Sequence, residues 1–238
     1  MIFHRIIFIT LIVVSLISAQ SKFTGRIGLA IGYNIEYDFT DFSVFSSNFL
    51  KTSKEEKLSN GFLTNNFNGY LYTLVIPNTR IGFLFSNGKK ESNLSSNKLK
   101  SVEYKKNLFG LTVEYTASIK TLNISPGILL GKGKSIFHLY NYTVEPDFND
   151  LVNWFNSNIS NFGFSTSIQM KFYELSPMIN LEVDLHRFVA LRFGITYHLL
   201  LSKDWRLNGK LPLENVPDKL ITNSLSISTG LMIGFFSR

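Results

Sequence analysis

The stretch Phe23 to Tyr37, F-T-G-R-I-G-L-A-I-G-Y-N-I-E-Y, places a bulky apolar residue at every odd position except Gly25. Every even position is small or polar. Side chains along a β-strand point alternately to opposite faces, so this segment reads as a strand with one greasy face and one small, wet face. Two kinds of protein use such a strand. A soluble sheet turns the greasy face inward, whereas a membrane barrel turns it toward lipid and keeps the polar face inside. The chemistry of the polar face in the rest of the chain decides between them.

Met1 to Ala19 reads as an export signal, which leaves 20–238 as a single domain. His4 and Arg5 make a basic start, Ile6 to Ile17 an apolar run, and Ser18-Ala19 a small-residue cleavage point before Gln20. The apolar run, about a dozen residues, is too short to cross a ~30 Å hydrocarbon core as a helix. No later run is longer, so a membrane-spanning chain of this kind must cross with strands. The 22 phenylalanines and 10 tyrosines, against 17 % charged residues, favour many strands with aromatic surfaces over a helical bundle. The absence of cysteine excludes disulfides, thiolate chemistry and Cys-type zinc sites.

Seven further strands follow, and tight turns alternate with long polar connections. The second runs Phe67 to Ile76, with Tyr70, Tyr72, Leu74 and Ile76 expected on the greasy face. Pro77-Asn78-Thr79 turns the chain into the third, Arg80 to Gly88. That turn pairs Ile76 with Ile81, Leu74 with Phe83 and Tyr72 with Phe85. The fourth strand is Leu108 to Ile119. After Lys120-Thr121 the fifth starts at Leu122 and continues past Gly131-Lys-Gly-Lys134 to about Val144. The sixth, Phe162 to Leu185, changes phase. Phe162, Phe164, Ile168, Met170 and Phe172 share parity in its upper half, and Pro177, Ile179, Leu181, Val183 and Leu185 in its lower half. The reading places a bulge between Phe172 and Pro177. The seventh follows the turn at His186-Arg187-Phe188, and the eighth is Thr222 to Phe236. The long connections are Asp38 to Asn66, with a helical turn around Ser43 to Leu50, then Lys89 to Asn107, Glu145 to Asn161 and Leu200 to Ile221. In Glu145 to Asn161 the residues Phe148, Leu151, Val152 and Phe155 have helical spacing.

The polar face of these strands is mostly Gly, Ser, Thr, Ala and Asn. A solvated face carries many Lys and Glu, so this face belongs in a narrow interior. The inward charges nearly balance: Arg26, Arg80 and Arg192 against Glu36, Glu114 and Glu182, with Asp184 near a turn and His198 also inward. An unpaired buried charge is costly, which is why a closed interior needs that balance. Centring the hairpin on Arg187 sets Glu182 opposite Arg192. The expected fold is therefore all-β, an up-and-down antiparallel transmembrane barrel of about eight strands. It has short periplasmic turns, long extracellular loops, and both termini on the short-turn side.

Five segments carry a resemblance: Gly110 to Tyr115, Pro126 to Gly133, Pro177 to Val183, Phe188 to Tyr197 and Gly230 to Phe236. Together they resemble small bacterial outer-membrane β-barrel proteins over roughly the last half of the chain. The resemblance implies outer-membrane location and recognition of the last strand by the barrel-assembly machinery, and it brings no enzymatic activity. The chain departs from the pattern at Ser176, at His198 and in the two residues after the last aromatic.

No strong catalytic signal is present. His138, His186 and His198 lack metal-ligand spacing, and no cofactor motif occurs. Gly131-Lys-Gly-Lys134 lacks the helix and spacing of a phosphate loop. His198 with Glu182 or a serine of the last strand is the one combination suited to lipid hydrolysis. The basic residues lack interleaved stacking aromatics, which argues against nucleic acid. Lys89, Lys90, Lys98, Lys100, Lys105 and Lys106 form a candidate contact with lipopolysaccharide phosphates, weighed against a merely solvated loop. The leading function is a plugged structural or surface-interaction barrel meeting an unidentified surface ligand. A narrow channel or transporter is the alternative, and a lipid-modifying enzyme comes third.

Overall fold

A computed structural model describes residues 28–49, 58–73, 76–93, 100–142, 163–217 and 219–236. The export signal, Phe23 to Ile27 (with Arg26), Lys51 to Lys57, Leu74, Lys98 and the Phe148-to-Phe155 helical spacing lie outside the described residues. The strands are β1 (Gly28–Asp38), β2 (Phe62–Tyr72), β3 (Thr79–Asn93), β4 (Lys100–Tyr115), β5 (Ala117–Ile119), β6 (Leu122–Tyr142), β7 (Gly163–His186), β8 (Val189–Leu207), β9 (Leu211–Pro212) and β10 (Ser224–Phe236). One helix, α1 (Ser43–Phe49), follows β1 where a helical turn is expected.

Every neighbouring pair is antiparallel, and β10 pairs with both β8 and β1, so the sheet closes on itself. β5 continues β4 in the same register against β6, and β9 is a short bridge to the tip of β8. The ring thus has eight staves, as the sequence leads one to expect. Closure leaves no open edge, which a sheet in lipid requires. The facing ends of β2 and β3, Tyr72 and Thr79, and the short turns Lys120-Thr121 and Arg187-Phe188 share one rim with the pair Gly28–Phe236. Asn78 and Lys120 take the left-handed conformation there, with φ 59° and 56°.

Alternation along β1 is complete, with Leu29, Ile31, Tyr33 and Ile35 exposed between buried neighbours. Ile31 is 49 % exposed, and Ile81, Leu111, Ile179, Ile195, Ile227 and Ile233 lie outward like it. Polar side chains fill the inside. No soluble barrel tolerates such an exterior, but a lipid-facing band requires one. No helix among the described residues is long and apolar enough to cross a membrane, so the crossing is made by strands.

Three sequence expectations need correction. In β2 the greasy face is Leu63, Phe67 and Leu71, and Tyr70 points inward. Leu71 pairs with Ile81, Phe67 with Phe85 and Tyr72 with Arg80, a register five residues away along β3 from the expected pairing of Tyr72 with Phe85, and opposite to it in parity. β2 ends at Tyr72 rather than Ile76, and Tyr70 turns inward because it partners buried charges. Second, β3, β4 and β8 continue well into segments expected as loops, to Asn93, from Lys100 and to Leu207. Third, β7 pairs with β6 without interruption from Val183 to Gly163. The bulge lies instead in β8, where Leu201 is the extra residue between partners of Tyr173 and Glu174. Ile168, Met170 and Phe172 are buried inside the barrel, so the phase change in β7 is a change of surroundings, not of backbone.

Candidate functional site

The interior is stacked in layers. In the lowest charged layer Arg80, on β3, is wholly buried. It donates to Glu182 Oε2 at 2.7 Å and to the Ser125 hydroxyl, and its Nε makes a charge contact with Glu114 Oε2 at 3.2 Å. Arg192, on β8, donates to Glu182 Oε1 at 2.5 Å and to Glu114 Oε1 at 2.6 Å. The Tyr70 hydroxyl donates to Glu182 at 3.0 Å, and its ring lies 4.1 Å under the Arg80 guanidinium. Two guanidiniums and two carboxylates thus form a closed, neutral square. Its Glu182–Arg192 edge follows from the direct pairing of those residues across β7 and β8.

Above it a polar chamber of about 30 Å³ is lined by Asn34, Asn68, Thr112, Asn180 and Ser228. Asn34 Oδ1, Asn68 Oδ1 and Asn180 Nδ2 have no protein partner among the described residues. That volume suits one or two water molecules, which polar groups of this kind hold.

The next layer centres on His198. Its Nδ1 is 2.5 Å from Glu174 Oε1, and its Nε2 is 3.1 Å from Glu36 Oε1 and 3.0 Å from Ser226 Oγ. Asn66 donates to Glu36 at 2.6 Å and Ser176 to Glu174 at 2.5 Å. Lys106 pairs with Asp38 at 2.9 Å, and Thr40 donates to the same carboxylate at 2.7 Å. Glu36, Asp38 and His198 offer ligand atoms within 4.8 Å of one another. Lys106 and the imidazole already supply the cationic partners there.

Glu174, His198 and Ser226 stand in the order carboxylate, imidazole, hydroxyl that nucleophilic catalysis uses. Two observations argue against that chemistry. Nε2 faces the Glu36 carboxylate as well as the serine, and an imidazole facing a carboxylate from each nitrogen donates from both, leaving no lone pair to take a serine proton. Ser226 is also buried, beneath a lid.

The lid is apolar. Phe42, just before α1, and Phe45 within it enter the extracellular mouth, where Phe45 stacks on Phe137 at 4.2 Å and Phe42 meets Tyr104 edge-on at 4.9 Å. Phe62, Phe172, Met170, Trp205, Leu220 and Ile221 belong to the same cluster. The remaining space beneath it, between His198 and Lys106, is about 10 Å³.

Of the expected interior residues, Glu36, Arg80, Glu114, Glu182, Arg192 and His198 line the inside, in two separate layers. Asp38, Lys106 and Glu174 belong with them. Sequence reasoning assigns Asp38 and Lys106 to loops, and the phase change in β7 hides Glu174. The expected lysine contact divides. Lys89 and Lys105 face outward on paired strands, but Lys89 is bonded to Glu91 and Lys105 to Glu103. Lys90 reaches the Gly61 carbonyl, and Lys106 is buried rather than at the surface. Lys100 begins β4.

No protein-family model matches the chain, and no curated protein matches it by sequence. Among solved structures it is similar to surface protein A of Neisseria (TM-score 0.51, 10 % identity, covering 88 % of this chain and 99 % of that one). It is also similar to a major outer-membrane protein of Thermus thermophilus (TM-score 0.50, 11 % identity, covering 87 % and 99 %). Identity at this level speaks for the fold, and the apolar exterior speaks for the surroundings. The chain has the fold of the small bacterial outer-membrane β-barrel proteins, and its apolar exterior is the lipid-facing band such a fold requires.

Proposed function

We propose that this protein is a closed, non-conducting outer-membrane barrel with a structural or surface-interaction role, its long extracellular connections meeting a partner outside the cell. The carrying observation is that the lumen is blocked three times over: by the Arg80–Glu114–Glu182–Arg192 square, by the His198 layer and by the Phe42–Phe45 lid. A barrel of eight staves has room for side chains but not for a solute as well. Cavities of about 30 and 10 Å³ fit that expectation. The reading is non-enzymatic, since the triad-like arrangement among the described residues is sealed and its imidazole occupied.

On this reading residues 1–19 are removed on export, and the assembly machinery receives the chain through β10, the strand that closes the ring. The surrounding partners are outer-membrane lipid and, outside, an unidentified surface ligand. Planar-bilayer recording tests the closed lumen: purified protein should insert without steady current. A stable ohmic conductance would overturn the reading in favour of a channel.

A further inference from the structure

The outer wall carries a groove of about 610 Å³ over β1 to β7, at the level where the apolar band gives way to polar residues. Its floor is a row of aromatics joined by strand register: Tyr33 opposite Phe67, Phe67 opposite Phe85, and Phe85 opposite Phe109. The same row continues as Lys132 and Tyr173, with the Lys132 ammonium 5.7 Å from the Tyr173 ring. Just above run Asn65, Asn87, Asn107, Lys134 and Lys171, again in direct register. Lys132 stands about ten residues up a tilted strand from the periplasmic turn, or roughly 25 Å along the membrane normal, which is the height of an apolar band. That places its ammonium among lipid phosphates.

Lys134 and Lys171 are cross-strand partners on one face, an arrangement of like charges that destabilises a sheet unless an anion intervenes. None of Lys132, Lys134 and Lys171 forms an ion pair among the described residues. Asp204, opposite Lys171, is paired with Arg206 at 2.9 Å instead. The groove's other polar groups satisfy one another: Tyr33 donates to Asn65 at 2.6 Å and Asn87 to Asn107. The lysines higher up, Lys89 and Lys105, are already neutralised by Glu91 and Glu103. Uncompensated charge therefore sits on the groove lysines and not on Lys89 and Lys105.

We propose that this groove holds one lipopolysaccharide molecule, with a lipid A phosphate on Lys132, Lys134 and Lys171 and an acyl chain along the Tyr33–Phe67–Phe85–Phe109 floor. The proposal rests on the membrane placement of the barrel and not on its closed lumen, so a conducting barrel would leave it standing.

Native mass spectrometry of the folded, detergent-purified chain, titrated with bis-phosphorylated lipid A, tests it. A one-to-one adduct is expected, and dephosphorylated lipid A or phosphatidylglycerol should bind at least about tenfold more weakly. Lys132→Ser, Lys134→Ser and Lys171→Ser should each weaken the adduct roughly fivefold, and the triple variant about a hundredfold. Lys89→Ser with Lys105→Ser should leave it unchanged. Heat-modifiable gel mobility verifies folding of each variant, and the comparison of lipids on the unaltered chain needs no variant. Equal binding of phosphorylated and dephosphorylated lipid A, equal binding of phosphatidylglycerol, or full affinity in the triple variant would each overturn the proposal.

Discussion

Replacing Arg80 by methionine isolates the energetic role of the charged square, because methionine keeps most of the volume and removes only the guanidinium. Arg80 is wholly buried and bonded to Glu182 and Ser125, touches Glu114 and lies over the Tyr70 ring. Without it two carboxylates face Arg192 alone, and one negative charge is left buried and uncompensated. Breaking a buried ion pair from one side costs about 3–5 kcal/mol. With a urea slope of about 2 kcal/mol/M, that cost lowers the unfolding midpoint by roughly 2 M. The double variant Arg80→Met with Glu114→Gln leaves Arg192 and Glu182 as a neutral pair. It should recover to within about 1.5 kcal/mol of the unaltered chain, since removing both partners of a buried pair is often close to neutral. Equilibrium unfolding in phospholipid vesicles, followed by tryptophan fluorescence, measures both. A single-variant loss below about 1 kcal/mol, or a double variant at the sum of its singles, would refute charge balance as the organising feature of the interior.

Two further perturbations probe the lid and the closing seam. Phe45→Ala removes the stacking partner of Phe137 and should release α1, speeding exchange of the Ser46 amide, bonded to the Phe42 carbonyl, by about tenfold or more. The barrel's unfolding midpoint should stay in place, and a conductance should not appear because two filled layers lie beneath; a shifted midpoint would make the lid integral to the barrel. Gly234→Val places a branched side chain against the Leu29 carbonyl and Ala30 backbone across the β10–β1 seam. It should cost about 1–3 kcal/mol or block closure, read as loss of the heat-modifiable band; an unaffected band would mean that the seam has slack.

Much of this fold is legible in the sequence where lipid sets the pattern. Along β1, lower β4, lower β6 and, with Thr229 the exception, β10, every second residue is apolar because lipid touches every second residue, and the Glu182–Arg192 pair follows from the turn at Arg187. The upper staves are harder to read, for one physical reason. Above the membrane the outside is water and the inside is the aromatic lid, so the hydrophobic phase inverts while the backbone continues unchanged. Ile168, Met170 and Phe172 show the inversion in β7, and Val102, Tyr104 and Leu108 show it in β4. An inverted phase looks like a bulge, and the polar outward residues beside it, such as Lys89 and Lys105, look like loop. β2 misleads differently, because its aromatic Tyr70 faces Arg80 and Glu182 rather than lipid. Within the site, the membership of Lys106 and Asp38 could be found only by carrying the strand parity beyond the apolar band.

The barrel is built inside out, oily residues against acyl chains and charges sealed within. The chain contains no cysteine, so single-cysteine variants at Ile31, Phe85, Ile195 and Ile227, with Glu91 and Asp204 as outer positions, can carry nitroxide labels in reconstituted vesicles. Collisions with molecular oxygen should exceed those with a water-soluble nickel chelate at the first four positions, and the order should reverse at Glu91 and Asp204. Nickel access at Ile31 and Ile195 matching that at Glu91 would contradict the account.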